Sequence, residues 1–404
     1  MRLGVLILRK NYYRLLGPVV EEALRRGYDV ECWHDWSGPR RGGKSSEFPD
    51  TAPAFAAGAP RVTSYGGSVD LAERWRRDPP DAVISIDPPD SELRAATKAR
   101  WLWLQYGADI LFQSTPTGVL DADGVALYGS RWRSWLEERF PASGIGPELE
   151  RKSTVVGAPE LDTVHTIDPE AVRRRLGLPV ARPVVLYLPF PLHSNIPTPW
   201  LRHVHTPSTR IEQGVRMILA RRWDYWPHVV KGWNDRRLVE AARVFCDRHD
   251  ALLIMKSRLK DPFPRYAERL ADHVFYDLSH HPPTILELLS VASLCIHFYS
   301  TAVMEAAYSG VPSLCLAPRP DELGPASYGF DFVHNGDEGG LYNEHGIAYW
   351  RPLVTAFDGL RQWSLNDFPV VPGARRRYVE RFLGFDDGRS AARLLDLVAR
   401  MVDG

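Results

Sequence analysis

A chain of 404 residues is too long for one ordinary hydrophobic core and fits two, because single domains usually hold about 100–200 residues. Hydrophobic residues make up 44% and charged residues 25%, which excludes a largely disordered or coiled-coil protein. Basic and acidic residues balance at 50 each, so no nucleic acid partner is expected. The cysteines form no CxxC pair, which indicates neither a zinc site nor a disulfide framework and fits a reducing cytoplasm.

Short apolar runs alternate with helical patterns in the first part of the chain. Residues 3–8 predict a strand, 17–26 an amphipathic helix and 29–33 a second strand, which together form a βαβ unit. Residues 38–67 carry little periodicity and are interpreted as a long loop. Further strands are predicted at 82–86, 101–104, 125–128 and 153–156. The pattern predicts a Rossmann-like domain over residues 1–165.

A second alternation follows this domain. Residues 166–182 contain a short helix that begins at an N-cap aspartate, Asp168, and are interpreted as a linker. The strands predicted after it are 184–188, 251–255, 273–276, 294–298 and 313–316. They predict a second Rossmann-like domain over 183–375, and residues 376–404 a helical segment that packs back towards the first domain. The predicted fold class is therefore α/β, with two Rossmann-like domains facing across a cleft and a C-terminal helix.

The most informative stretch is the turn that follows the strand predicted at 294–298. Tyr299, Ser300 and Thr301 stand there at the start of a predicted helix. The first turn of a helix has free N–H groups and a partial positive charge, so a diphosphate can be held there with both hydroxyl groups. Glu305, one turn further on, can accept hydrogen bonds from a ribose. Alternatively, Ser300 is only a helix cap and Glu305 only a helix-stabilising charge.

This region resembles the donor half of GT-B glycosyltransferases, and within them the CDP-glycerol glycerophosphotransferase and surface-polysaccharide transferase group. The specific part covers residues 253–319, and the ending at 384–390 is also similar. The matching positions are the strand lysine Lys256, the turn at 299–301, the acidic Glu305 and the Gly-x-Pro of Gly310 and Pro312. The resemblance implies a nucleotide diphosphate donor, with the diphosphate bound by Lys256, Arg258, Ser300 and Thr301 and the ribose by Glu305.

The chain also departs from this group. Phe298 stands where the group has an aspartate, and Gln105-Tyr106-Gly107 stands where the group has a Trp-His-Gly stretch with a catalytic histidine. A phenol is a poor base at neutral pH, so sugar transfer is expected in preference to glycerophosphate transfer.

Metal dependence is not expected. The two cations Lys256 and Arg258, together with a helix N-terminus, can offset the charge on a departing diphosphate. Asp121 and Asp123 form a DxD triplet, but it lies in a glycine-containing turn and is interpreted as turn chemistry. No essential metal and no other cofactor are predicted.

An inverting sugar transfer needs a base near the acceptor hydroxyl, and residues that follow strand ends are the natural candidates. Asp109 ranks first, although it is equally suited to cap a helix. His193 is a second candidate, with a solvent-facing loop histidine as the alternative. Asp87 and Asp90, in the loop after the strand at 82–86, are the remaining candidates. The residues predicted on the acceptor side are Asn11, Tyr12 and Tyr106.

An aromatic segment at 190–236 is the other unusual feature. Its tryptophans fit an acceptor platform or a peripheral membrane contact, while packing between the domains is the structural alternative. No stretch approaches the ~20 apolar residues of a membrane span.

Together these observations predict a cytoplasmic, metal-independent glycosyltransferase. It would move a sugar from a nucleotide diphosphate to a carbohydrate or lipid-linked acceptor, in surface glycan or glycoconjugate biosynthesis. The alternatives are a polyol-phosphate transferase, a non-hydrolysing nucleotide-sugar epimerase, and a nucleotide-sugar binding module without catalysis.

Overall fold

The chain forms two compact units. The computed structural model describes residues 1–37, 51–107, 116–139, 144–189, 235–257, 263, 265–276, 280–317 and 337–404. The first unit comprises Met1–Thr166, Ser279–Thr284 and Val379–Gly404, and the second comprises Ile167–Leu278 and Ile285–Tyr378. The second unit thus begins within the segment predicted as a linker.

The first unit is built on a seven-stranded parallel sheet. Its strands are β1 (Arg2–Ile7), β2 (Asp29–Asp35), β3 (Arg61–Tyr65), β4 (Ala82–Ser85), β5 (Arg100–Leu104), β6 (Gly124–Leu127) and β7 (Ser153–Val155). Their order is β3-β2-β1-β4-β5-β6-β7, with every neighbouring pair parallel. The chain order reverses between β1 and β4, so ligands are expected beside the carboxyl ends of these two strands.

Helices connect these strands and supply the rest of the core. They are α1 (Tyr13–Arg25), α2 (Ser68–Arg77), α3 (Ser91–Ala96), α4 (Pro116–Leu120), α5 (Ser130–Arg139) and α6 (Gly146–Lys152). The strands are nearly continuous apolar runs because both faces of a parallel sheet are covered. Trp75 lies in the centre of this core, edge to face with Trp33 at 6.1 Å and with Trp101 at 5.9 Å between ring centroids.

The second unit repeats the same plan with six parallel strands. They are β8 (Val184–Leu188), β9 (Leu252–Ser257), β10 (His273–Tyr276), β11 (Leu294–His297), β12 (Ser313–Ala317) and β13 (Ala348–Pro352). Their order is β10-β9-β8-β11-β12-β13, and the reversal falls between β8 and β11. The helices are α7 (Pro169–Leu176), α8 (Asp235–Arg248), α9 (Arg265–Leu270), α10 (Thr284–Val291), α11 (Ala302–Tyr308), α12 (Ala356–Gln362) and α13 (Pro372–Tyr378). The predicted α/β class with two Rossmann-like sheets is confirmed.

The predicted C-terminal helix is also present, as α14 (Ser390–Asp403) in the first unit. It packs against α1 and against a 3-10 helix at Pro159–Thr166. Asp162 in that 3-10 helix accepts hydrogen bonds from the amides of Ser390 at 2.9 Å and Ala391 at 2.7 Å. A residue far away in the chain thereby caps the start of α14. Within the described residues, no helix is both long and apolar enough to cross a membrane.

Candidate functional site

Three of the predicted site residues lie outside the described residues: Asp109, His193 and Arg258. The aromatic segment at 190–236 lies outside them as well, apart from its last two residues. The roles predicted for these three residues and for the aromatic segment stay predictions. The other predicted residues fall into two groups, one in each unit, beside the reversal point of each sheet.

The first group, the first-sheet cluster, consists of Asn11, Tyr12, Asp87 and Tyr106, which follow β1, β4 and β5. The Tyr12 hydroxyl donates a hydrogen bond to Oδ2 of Asp87 at 2.8 Å, and Nδ2 of Asn11 donates one to the Tyr106 hydroxyl at 3.2 Å. The Tyr12 and Tyr106 ring centroids are 5.7 Å apart. The structure therefore brings the three predicted acceptor-side residues together with Asp87, one of the predicted bases.

Hydrogen bonds hold both the side chain and the backbone of Asp87. Its carbonyl oxygen accepts a hydrogen bond from Oγ of Ser85 at 2.7 Å, and Ser85 in turn accepts one from Nε1 of Trp101 at 2.7 Å. Burial raises the pKa of the Asp87 carboxyl above its ordinary value of 3.8, while the hydrogen bond from Tyr12 opposes the rise. Burial also raises the pKa of Tyr12, so its hydroxyl keeps its proton and remains a donor. A carboxylate with a raised pKa is a stronger base than an exposed aspartate.

Sequence reasoning missed two buried residues beside this cluster, Tyr128 and Glu160. The Tyr128 hydroxyl donates to Oε1 of Glu160 at 2.8 Å and accepts from the amide of Gly107 at 3.3 Å. Tyr128 could have been noticed as a polar group at the end of a predicted strand. Nothing in the sequence near Glu160 distinguishes it from a surface glutamate.

The second group lies at the carboxyl ends of β9 and β11 in the second unit. Lys256 is the penultimate residue of β9 and is only 9% exposed. Glu305 lies within α11 and is 5% exposed, so little of its side chain is open to a ribose. Burial raises the pKa of the Cys295 thiol in β11, the charge of Glu305 adds to the rise, and the charge of Lys256 opposes it. Both charges therefore act on the same part of the sheet.

The turn between β11 and α11 has a strained backbone. Tyr299 has a φ of 38°, in the left-handed region that residues other than glycine seldom adopt. Its carbonyl oxygen accepts a hydrogen bond from the Tyr342 hydroxyl at 3.2 Å, and the two rings lie edge to face at 5.1 Å. Strain of this kind persists where the surroundings hold it, often at ligand sites.

Most amides at the start of α11 are already hydrogen-bonded. The Ser300 amide donates to Nδ1 of His297 at 3.2 Å, and Oγ of Ser300 accepts from the Ala302 amide at 3.2 Å. The next two amides of the helix bond to the carbonyl oxygens of Ser300 and Thr301. Within the described part of the chain, the Thr301 amide has no such bond. The backbone groups open to a diphosphate are therefore fewer than a free helix end would offer.

His297 is a second residue that sequence reasoning missed, because it stands in the apolar run of β11. It is 1% exposed, and burial lowers its pKa to about 3, so the imidazole is neutral. Since Nδ1 accepts the bond from Ser300, the proton lies on Nε2. Its contact with the Ser300 amide fixes the path of the turn.

Among the described residues, no group of three or more His, Cys, Asp or Glu side chains could hold a metal ion. The oxygens of Asp123 in the DxD triplet accept bonds from Arg94 at 2.9 and 3.1 Å and from the Trp101 amide at 2.7 Å. Both oxygens of Asp123 are thus engaged by groups in α3 and β5. The absence of an essential metal stays a prediction.

No protein-family model and no curated protein matches the chain. Solved structures do. The wall teichoic acid polymerase TagF aligns with a TM-score of 0.58 and 10% identity, over 100% of this chain and 89% of that chain. A putative UDP-N-acetylglucosamine 2-epimerase from Listeria monocytogenes gives 0.53 and 12%, over 98% and 94%.

The UDP-GlcNAc 2-epimerase from Neisseria meningitidis, solved with UDP-GlcNAc bound, gives a TM-score of 0.55 and 9% identity, over 99% of this chain and 100% of that chain. At such low identity the likeness shows the fold and nothing finer. The chain has the GT-B fold, as the resemblance in its sequence implies.

Proposed function

We propose that this protein transfers a sugar from a nucleotide diphosphate donor to a carbohydrate or lipid-linked acceptor, in surface glycan or glycoconjugate biosynthesis. The observation that carries the proposal is the pair of polar groups beside the reversal points of the two sheets. One group offers the half-buried Asp87 carboxyl and hydroxyl groups, and the other offers a cation and hydroxyl groups. A sugar transfer needs both kinds of chemistry.

The second unit would bind the donor. Lys256 would supply positive charge, and Ser300 and Thr301 would supply hydroxyl groups and the Thr301 amide to the diphosphate. Glu305 would accept from the ribose through the small part of its side chain that is exposed. Arg258 would add a second cation. Positive charge at the diphosphate stabilises the leaving group as its bond to the sugar breaks.

The first unit would act on the acceptor, with Asp87 as the base among the described residues. In an inverting transfer, the acceptor hydroxyl gives its proton to the Asp87 carboxylate as its oxygen bonds to the anomeric carbon. The bond from that carbon to the diphosphate oxygen breaks, and its electron pair leaves with the nucleotide. Asn11, Tyr12 and Tyr106 would orient the acceptor. Asp109 and His193 remain alternative bases.

A nucleotide-sugar epimerase is the second candidate, because two of the three similar structures described above are epimerases by name. Mass spectrometry and NMR of UDP-N-acetylglucosamine and of GDP-, CDP- and dTDP-sugars, incubated with the protein, would separate the two. A transferase releases nucleotide quickly only when an acceptor glycan is added. An epimerase converts the sugar without any acceptor. Binding without turnover in either condition would indicate a nucleotide-sugar binding module and contradict the proposal.

A further inference from the structure

A set of buried hydrogen bonds connects the end of β5 to Glu160. Oε1 of Gln105 accepts from the Tyr128 amide at 2.9 Å, and its Nε2 donates to the Gly107 carbonyl at 3.1 Å. The Gly107 amide donates to the Tyr128 hydroxyl at 3.3 Å. That hydroxyl donates to both Glu160 oxygens, at 2.8 and 3.0 Å. The side chains of Gln105 and Tyr128 are completely buried.

The Glu160 side chain is only 5% exposed. A buried carboxylate is costly unless hydrogen bonds satisfy it, so its place here needs a reason. Burial raises the pKa of Tyr128, and the Glu160 charge raises it further, so the Tyr128 hydroxyl keeps its proton. Because that proton points to Glu160, an oxygen lone pair of Tyr128 is left for the Gly107 amide.

The same bonds hold the turn that carries Tyr106. Gly107 has a φ of 53°, a left-handed conformation that suits glycine. Side chains satisfy both of its backbone groups, the amide through Tyr128 and the carbonyl through Gln105. Tyr106, one residue earlier, accepts the hydrogen bond from Asn11. These hydrogen bonds therefore link the turn that carries Tyr106 to Glu160.

We infer that Glu160 is a positioning residue for the acceptor side: through Tyr128 and Gly107 it holds Tyr106 in the first-sheet cluster. This inference rests on the proposed function for its role in turnover. Its structural part can be tested without any substrate.

Amide hydrogen exchange at Gly107 in the full-length, ligand-free protein tests the structural part. In Glu160→Leu, the Tyr128 hydroxyl loses its acceptor, so its proton is no longer held away from Gly107 and its lone pair is no longer reserved for the Gly107 amide. Exchange at Gly107 should then rise about tenfold. In Glu160→Gln, an amide oxygen still accepts from Tyr128, and the rate should stay near that of the wild type. Tyr128→Phe keeps the ring and removes the hydroxyl, and it serves if Glu160→Leu does not fold.

Asp162→Ala is the matched control, because Asp162 lies in the same 3-10 helix and its carboxylate caps α14. It should lower the melting temperature without a specific change at Gly107. Exchange at Gly107 that stays at the wild-type rate in folded Glu160→Leu or Tyr128→Phe would overturn the inference, whatever the protein does with a sugar nucleotide.

Turnover of UDP-N-acetylglucosamine in the presence of an acceptor glycan, with UDP binding measured beside it, tests the functional part. Glu160→Leu should lose about tenfold in turnover, keep wild-type affinity for UDP, and be rescued by Glu160→Gln. Faster exchange at Gly107 with unchanged turnover would refute the link to the acceptor. If the wild type turned over no sugar nucleotide, the proposed function would fail, and the exchange result would still decide the position of Tyr106.

Discussion

The first-sheet cluster and the turn between β11 and α11 differ in the groups that their hydrogen bonds join. In the cluster, side chains bond to side chains, as Tyr12 does to Asp87. In the turn, backbone amides bond to the nearby side chains of His297 and Ser300. Bonds between side chains can be exchanged for bonds to a ligand while the backbone stays in place. This difference fits the proposed roles, proton transfer in the cluster and binding of the diphosphate at the turn.

Asp87→Asn should show the largest effect. The amide keeps the shape and accepts from Tyr12 but cannot take a proton, so turnover should fall roughly 10²–10⁴-fold. Steady-state kinetics with whichever sugar nucleotide the protein converts would measure it. Asp90→Asn is the control, since Asp90 caps α3 through the amides of Glu92 and Leu93 and should affect stability alone. Equal losses in both variants would contradict the assignment of the base.

Lys256→Met, in the proposed donor site of the second unit, should have the next largest effect. It keeps the length of the buried side chain and removes the charge, so the affinity for a nucleoside diphosphate should fall about ten- to a hundredfold. Isothermal titration would measure the change. Lys152→Met removes a lysine that pairs with Glu148 at 3.0 Å in the first unit, and it should leave the affinity intact. Unchanged affinity in Lys256→Met would show that Lys256 is not part of the donor site.

Tyr12→Phe should shift the pH profile. Burial raises the pKa of Asp87 and the Tyr12 hydrogen bond opposes the rise, so without the hydroxyl the pKa rises further. The base must be ionised, and the acid limb of the pH–turnover profile should therefore move to higher pH. Tyr13→Phe removes a hydroxyl that bonds to His34 at 2.6 Å and should leave the limb in place. A shift to lower pH, or none, would argue against Asp87 as the titrating group.

The same raised pKa affects stability. The Asp87 carboxyl is protonated in both states below its ordinary value of 3.8, and the folded state disfavours the charge above it. As the pH rises from 3.8 through the raised pKa, Asp87 should lower the free energy of unfolding. Asp87→Asn should remove that pH-dependent loss, and urea titrations at several pH values would detect it.

Ser300→Ala and Thr301→Val should separate support from binding within the turn. Oγ of Ser300 accepts from the Ala302 amide, so its loss should cost about 1 kcal/mol of unfolding free energy. The Thr301 side chain makes no capping bond, so Thr301→Val should leave stability unchanged and weaken binding of the diphosphate. Urea denaturation and titration with UDP would measure both. If Ser300→Ala weakened UDP binding and Thr301→Val lowered stability instead, the two assignments would be wrong.

Chelation should have the smallest effect. The oxygens of Asp123 are occupied by Arg94 and a backbone amide, so excess EDTA should leave turnover unchanged. Loss of activity in EDTA that Mg²⁺ or Mn²⁺ restores would contradict metal-independent chemistry.

Much of the fold could be predicted from apolar runs. β8 and β10 have the predicted bounds, because each is a compact apolar or aromatic segment between polar residues. β3 was missed because four of its five residues are at least partly exposed at the edge of the sheet. β13 was missed because its polar Arg351 and terminal Pro352 interrupt the apolar pattern.

The site could be predicted only in part. Asp87, Lys256 and Ser300 were found because each stands at or just after the end of an apolar run, and strand ends meet at one edge of a parallel sheet. The partnership of Tyr12 with Asp87 could not be predicted, since the two residues are 75 positions apart. Glu160 could not be recognised because the 3-10 helix that carries it packs against α1, a contact that no local pattern reveals.

Hydrogen exchange at the Thr301 amide tests the central claim most directly, in the presence of whichever of UDP, GDP, CDP and dTDP raises the melting temperature most. If the turn after β11 binds the diphosphate, exchange at Thr301 should slow at least about tenfold at saturation, while Gly107 stays unchanged. Failure of all four nucleotides to bind, or protection elsewhere with Thr301 unaffected, would contradict the account.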